Sequence, residues 1–278
     1  MPQLNKTIDY NGRRIHYRDE GCRCTKTVIL LHGLAQNLTV WSAITLKMLN
    51  SYRVVSIDLP GHGFTDHFSE IHTMEFITDI IKEVVNREGL RDFVIVGHSW
   101  GGYAALAYAE KYPQSVKGIG LLHSHAMADD ELAIQRRERD CEEIRKNSAN
   151  YILRFVPSLF SDNNIGQFAK EISSIKDICL ETKAESLIAA EKGMMRRKSM
   201  MDFLKRFDRP VMFVYGKDDK RISWDIAMGM ATLPQYSELL FLDRVGHMAH
   251  IEAPAIVIRW LGSFIDTCYM DLKLPRAR

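Results

Sequence analysis

Gly97-His98-Ser99-Trp100-Gly101, followed by Gly102, is the stretch of this 278-residue sequence with the clearest chemical content. The apolar run Phe93-Val94-Ile95-Val96 precedes it, and the helix-like stretch Tyr103 to Lys111 follows. Strand, Gly-x-Ser-x-Gly, helix is the setting in which a serine sits on a sharp turn with its hydroxyl lifted clear of a sheet. Side chains at positions 97 and 101 would crowd the neighbouring backbone, so a strained turn calls for glycine there. The turn also puts Ser99 and Trp100 at a helix start, where free N–H groups favour developing negative charge. Taken alone the motif is equally consistent with a plain turn, so partners decide its meaning.

A serine hydroxyl is a weak nucleophile and needs a base. The best candidate is His247, in Val245-Gly246-His247-Met248, just after the last strand signal. Loops at the C-terminal ends of strands are where open α/β sheets place their active sites. His250, nearby, reads as a solvated loop histidine. A carboxylate must hold the tautomer of the base and stabilise its charged form. Asp218 and Asp219, after Gly216-Lys217, follow the preceding strand, and either could serve. Acyl transfer also develops an oxyanion, which needs preorganised donors. The N–H of Trp100 is one. The other is expected after an earlier strand, which ends in Leu31-His32-Gly33-Leu34, so Leu34 N–H is the candidate.

The elements that must position these residues alternate. Arg14 to Asp19 reads as an edge strand, and Lys26 to Leu31 as a strongly apolar one. Leu38 to Leu49 has helical apolar spacing, and Tyr52 to Leu59 is a strand. Thr73 to Glu88 is a helix whose Phe76, Ile77, Ile80, Ile81, Val84 and Val85 give one apolar face. Strand 93–98, helix 100–111 and strand 116–122 follow. Such alternation predicts an α/β fold with a mostly parallel sheet and helices on both faces. It stops at about His125. From Ala126 to Arg206 the chain is helix-like and densely charged, with helices predicted over Ala128 to Lys146, Ile165 to Ile178 and Thr182 to Met195; Tyr151 to Phe160 is apolar but broken by Pro157. Strand Pro210 to Tyr215, helix Trp224 to Ala231, strand Leu239 to Leu242 and a helix from about Ala253 to Phe264 complete the pattern. The expected organisation is one core domain, 1–125 and 207–278, with 126–206 inserted before its last two strands.

A formal net charge of +2 points to neither nucleic acid nor an anionic membrane. No apolar run approaches the length of a membrane span. Met1 to Thr7 lacks the apolar core of a signal peptide. The cysteines Cys22, Cys24, Cys141, Cys179 and Cys268 are odd in number and scattered, which reads as reduced thiols in a cytoplasmic protein. The polar tail from Tyr269 to Arg278 is expected to be disordered. Oligomeric state leaves no signature in the sequence.

His32-Gly33, Asp58-Leu59-Pro60-Gly61-His62-Gly63, Gly97-His98-Ser99-Trp100-Gly101-Gly102, Gly216-x-x-Asp219 and Gly246-His247 occur in the order oxyanion loop, nucleophile, acid, base. From about Ile15 to Phe264, outside the helical block, the chain resembles the α/β-hydrolase-fold serine hydrolases, carboxylesterase-like with a helical cap. The family's acid usually stands three residues after the glycine, so the resemblance selects Asp219 over Asp218. It further implies that 126–206 covers the active site and that no metal or organic cofactor is required. His32, His123, His125, Met194 and Met248 are the candidates for contacting a small-molecule acyl substrate. Met194, Met195, Met200 and Met201 flank Arg196-Arg197-Lys198. That segment reads first as helix core with a solvated basic face, and second as an adaptable apolar wall beside a cation for an acidic substrate.

The resulting expectation is a carboxylic ester hydrolase with Ser99, His247 and Asp219 as its triad. Cofactor-free carbon–carbon bond hydrolases, enol-lactonases and thioesterases of this fold keep the same triad. Proline-type aminopeptidases keep it too but need cap carboxylates for a free amine, for which Glu138, Glu142, Glu143 and Glu185 are available. Ser99 argues against the epoxide hydrolases and dehalogenases of the fold, whose nucleophile is aspartate. A small-molecule receptor is the alternative from another class, because fold does not fix function.

Overall fold

A computed structural model describes residues 5–22 and 26–270. In chain order its elements are β1 (Asn5–Tyr10), β2 (Arg13–Gly21), β3 (Thr27–Leu31), α1 (Ser42–Met48), β4 (Arg53–Ile57), α2 (Met74–Arg87), β5 (Phe93–His98), α3 (Trp100–Lys111) and β6 (Val116–Leu122). There follow α4 (Glu131–Phe155), α5 (Ala169–Leu180), α6 (Ala184–Met195), α7 (Met201–Arg206), β7 (Val211–Gly216), α8 (Trp224–Ala231), β8 (Ser237–Leu242), α9 (Ala249–Glu252) and α10 (Pro254–Cys268). The strands form one eight-stranded sheet in the order β1-β2-β4-β3-β5-β6-β7-β8. β2 is antiparallel to both of its neighbours, and every pairing from β4 to β8 is parallel.

The apolar runs become the central strands because both of their faces are covered. Along β3 and β5, Ile29, Leu31 and Ile95 enter the core beneath α2 and α3, while Val28, Leu30, Val94 and Val96 enter the one beneath α1 and α10. Alternation with a period of two residues splits one continuous apolar run between two cores. Thr73 caps α2 by accepting a hydrogen bond from Phe76 N–H at 3.2 Å.

The sequence pattern missed β1. Its signal is the Asn11-Gly12 pair at the hairpin turn to β2, where both residues have positive φ (55° and 75°), the conformation that Asn-Gly turns supply. The four helices α4 to α7 fall between β6 and β7, with no strand among the described residues there. The helix expected to end at Lys146 instead kinks at Asn147 (φ −164°, ψ 93°) and resumes to Phe155, before Pro157. α7 lay in a stretch with no predicted element.

This helical insertion is fastened to the sheet layer by hydrogen bonds. His72 N–H donates to Ala189 O at 2.9 Å, Thr182 Oγ1 to Ala35 O at 3.1 Å, and His247 N–H to Leu159 O at 2.6 Å. Cys141, Cys179 and Cys268 are free and buried, whereas Cys22 is disulfide-bonded, which corrects the expectation of reduced thiols throughout. Cys24 and the tail beyond Met270 lie outside the described residues. No helix among the described residues is long and apolar enough to cross a membrane.

Candidate active site

Ser99 stands between β5 and α3 with φ 50° and ψ −114°, a strained conformation for a residue with a side chain. The close packing that forces it is visible at the flanking glycines: a Cβ on Gly97 would lie 2.2 Å from the Gly101 backbone, and one on Gly101 2.5 Å from Leu31 O. The turn is held from three sides. Ser99 N–H donates to Leu122 O at 2.9 Å, Ser99 O accepts from Gly102 N–H at 2.9 Å, and the Ser124 hydroxyl donates to the same Ser99 O at 2.9 Å. The sequence offers His123-Ser124-His125 as pocket lining or a strand-end polar cluster; Ser124 instead braces the elbow, a role for which a serine at a strand end carries no signal.

His247 lies in the loop after β8 and Asp219 in the loop after β7, at the same edge of the sheet as Ser99. His247 Nδ1 is 2.8 Å from Asp219 Oδ2. Asp219 Oδ1 accepts from Arg221 N–H at 2.8 Å and Ile222 N–H at 3.2 Å. The carboxylate is fully buried in its side chain. Burial alone would raise its pKa, but the facing His247 imidazole and the N–H donors of His123 and His247 hold it well below the usual carboxylate range. Asp219 is therefore charged, and His247 Nδ1 carries the proton between them. Burial depresses the His247 pKa below the ordinary histidine value, with Asp219 opposing in part. Its Nε2 is buried and makes no hydrogen bond among the described residues.

Asp218, the alternative acid, belongs to different chemistry. Its Oδ2 accepts from Ser161 Oγ at 2.5 Å and Asn163 Nδ2 at 3.3 Å, tying the β7 loop to the helical insertion.

Ser99 and His247 line one cavity of about 280 Å³ with Leu34, His123, His125 and Met194. No hydrogen bond joins Ser99 Oγ to His247 Nε2 among the described residues; such contacts commonly tighten only when substrate binds. Leu34 N–H makes no hydrogen bond among the described residues, and Trp100, as the first residue of α3, has no intrahelical acceptor for its own.

Four sequence expectations are corrected, two about the cavity wall and two about solvation. His32 is not in its wall: the ring is fully buried and its Nε2 accepts from Leu59 N–H at 2.9 Å, joining the β3 and β4 ends. Met248 is likewise fully buried outside the wall, against Gln36 Nε2. His250 is not solvated but 1 % exposed, with its ring 4.6 Å from that of His98 and 4.9 Å from that of Trp41. Arg197, expected on a solvated basic face, is buried. It pairs with Asp129 at 2.7 Å and lies over the Tyr103 ring at 4.1 Å. Arg137, which the sequence reading passed over, joins Asp129 to Glu191 in the cavity wall, each at 2.7 Å. Both cations thus answer buried carboxylates of their own chain.

His123, Asp219 and His247 have the composition of a metal site, with one ligand atom from each lying within 4.8 Å of the others. The hydrogen bonds decide otherwise. His123 Nε2 accepts from Ala249 N–H at 3.0 Å, so its Nδ1 carries the proton and donates it to Asp219 Oδ2 at 2.9 Å. A tetrahedral ion at metal–ligand distances would hold those atoms apart by about 3.3 Å and need both nitrogens bare.

Comparison with known proteins agrees with the fold. The alpha/beta hydrolase fold family matches residues 26–143, from the strand before the Leu34 loop through the elbow and into α4. A thermophilic esterase from Thermogutta terrifontis, solved with malate bound, superposes with a TM-score of 0.88 at 25 % identity, over 97 % of this chain and 100 % of that one. The chain is an α/β-hydrolase-fold hydrolase. The enol-lactonase of Burkholderia xenovorans LB400 shares the hydrolase's fold, with a TM-score of 0.86 at 17 % identity over 94 % of this chain and 100 % of that one. By sequence, the hydrolase is 23 % identical to a 2-hydroxy-6-oxononadienedioate/2-hydroxy-6-oxononatrienedioate hydrolase of Burkholderia vietnamiensis, over 90 % of each chain.

Proposed function

We propose that the protein is a serine hydrolase cleaving small to medium carboxylic esters through an acyl-enzyme on Ser99. The observation that carries this reading is the meeting, in one cavity, of a serine on a strained elbow and a histidine anchored to a buried carboxylate through Nδ1 with Nε2 unengaged. Ser99 Oγ attacks the ester carbonyl and its proton passes to His247 Nε2. Asp219 stabilises the imidazolium, and the N–H groups of Leu34 and Trp100 receive the oxyanion. The carbon–oxygen bond then breaks and His247 returns the proton to the departing alcohol. Water, activated by His247, releases the acid. The chemistry uses neither metal nor organic cofactor. Residues 126–206 act as a cap over the cavity, and its volume suits a small-molecule acyl group rather than a polymer.

A second reading keeps the triad and changes the bond: hydrolysis of a carbon–carbon bond or an enol-lactone, as the names of the two Burkholderia relatives suggest. The aminopeptidase reading is weakened, because Glu138, Glu142, Glu143 and Glu185 do not line the cavity, and two of the carboxylates that do, Asp129 and Glu191, are paired with arginines.

Hydrolysis of p-nitrophenyl esters from acetate to palmitate tests the proposal. Turnover with an optimum at short or medium chains is expected, and no turnover on any ester would overturn the ester assignment in favour of the second reading. The acid limb of kcat/KM should fall below the ordinary histidine value of about 6.5, because burial favours the neutral His247 that acts as base.

The assignment of the acid makes a sharper contrast. In Asp219→Asn, whichever way the amide turns, its NH2 meets donors: two backbone N–H groups on one side and two imidazole N–H groups on the other. The variant should lose about 10⁴-fold in kcat as His247 is driven to the wrong tautomer. Asp218→Asn keeps an acceptor for Ser161 and should stay within about twofold of wild type. The reverse order in steady-state kinetics would move the acid to Asp218.

A further inference from the structure

His123 is the least expected member of the site. It follows β6 with φ 49°, a left-handed conformation that a residue with a Cβ adopts at a cost. Its backbone N–H donates to Val214 O at 2.9 Å, which fixes it between β6 and β7. The side chain is fully buried, and both ring nitrogens are engaged. Ala249 N–H donates to Nε2 at 3.0 Å and sets the tautomer, so Nδ1–H points at Asp219 Oδ2 at 2.9 Å. The same oxygen receives His247 Nδ1–H at 2.8 Å. Asp219 Oδ2 is thus divided almost equally between two imidazoles, only one of which faces Ser99 chemistry with a free nitrogen.

A satisfied core histidine needs neither a strained backbone nor a carboxylate already committed to another ring. We propose that His123 is a positioning residue of the site, holding the Asp219 carboxylate in place and, by taking one of the two lone pairs on Oδ2, setting how strongly Asp219 acts on His247. This rests on the roles proposed above for Asp219 and His247. The groups facing His247 are Asp219 and Arg221 from the loop after β7, His98 at the end of β5, His123 and His125 after β6, and His250 of α9. Of these, His123 alone bonds both the acid and the α9 backbone that follows the base. Without its N–H, the full charge of Asp219 falls on His247, which then holds its proton more tightly and is a poorer source of free base near neutral pH.

Two substitutions separate the contacts. His123→Asn places an N–H where Nδ1 stands and keeps the bond to Asp219 alone. His123→Gln places an acceptor where Nε2 stands and keeps the bond to Ala249 alone. His123→Asn should keep kcat within about threefold. His123→Gln should lose about tenfold or more in kcat with KM little changed, and the acid limb of kcat/KM should rise by roughly one pH unit. Equal losses in the two variants, or an unmoved limb in His123→Gln, would overturn the proposal.

An NMR measurement on ¹⁵N-histidine-labelled wild-type protein stands apart from both catalysis and variant folding. His123 should appear as a neutral ring protonated at Nδ1, and His247 likewise. A His123 ring protonated at Nε2 would defeat the proposal even if no variant folds. If no ester is turned over, the functional reading fails while the imidazole spectra still decide the role of His123.

Discussion

Ser99→Ala is expected to lower ester turnover by about 10⁴ to 10⁶-fold while leaving the fold and the affinity for product acid nearly unchanged. On the proposed mechanism the size follows from covalent chemistry: without Oγ no acyl-enzyme forms, and only the proposed N–H donors of Leu34 and Trp100 and the cavity remain. Little stability should be lost, because the elbow is held by backbone groups of Ser99 and not by its hydroxyl. Single-turnover kinetics with p-nitrophenyl acetate checks this, the wild type giving a burst and the variant none. Residual turnover within tenfold of wild type would remove Ser99 from the mechanism. Should the protein instead act as a receptor on this fold, the variant would keep the biological effect of its ligand.

The second large effect is on stability in acid. His62, His72, His98 and His250 are buried and His125 is partly so, and desolvation holds each below the ordinary histidine value, to about 3 for His72, His125 and His250. In the folded state these rings stay neutral, whereas in the unfolded chain they protonate near pH 6.5. Below that pH the unfolded state binds more protons, so stability falls as pH drops, and keeps falling towards the folded values. Each ring costs about 1.4 kcal/mol per pH unit, and five together remove about 7 kcal/mol by pH 5.5. That is comparable with the whole stability of a domain. Asp140, whose pKa is pushed up to about 6 by burial and by Glu191, works in the opposite direction, as do Glu20 and Glu238, which burial also raises, but these are three groups against five. Cooperative unfolding with a midpoint between about pH 5 and 6 is expected in a far-UV circular dichroism titration. A protein still folded at pH 4 would show that these rings accept protons in place. The titration also separates the two sources of acid inactivation, since protonation of His247 changes kcat/KM without changing the dichroism.

The sequence was most legible where one local pattern forces one local structure. The elbow is an example: two glycines around a serine between an apolar run and a helix leave a strained strand–helix turn as the consistent reading, and Ser99 adopts it. The parallel strands were legible because burial on both faces requires an unbroken apolar run, as in Thr27–Leu31. β1 was less so, since its alternation is polar and half exposed, and only Asn11-Gly12 marked it. The cavity wall was least legible. His32 and His123 are both histidines at the ends of parallel strands. One turns inward to accept from the Leu59 N–H just beyond β4, and the other meets Asp219 across the sheet edge.

The order of Ser99, the Asp218-Asp219 pair and His247, and the alternation of elements that carries them to one edge of a sheet, were legible in the sequence by itself. The physical reason is that strand and helix periodicity and glycine sterics act over a few residues. Tertiary structure alone decided which charges are spent on one another. Arg197 and Arg137 lie 60 positions apart in sequence yet share Asp129, and His123 reaches a carboxylate 96 residues away. Burial makes an unpaired charge costly and a hydrogen bond to it strong, so partners are chosen by what packing brings within about 3 Å, and no local pattern records that choice.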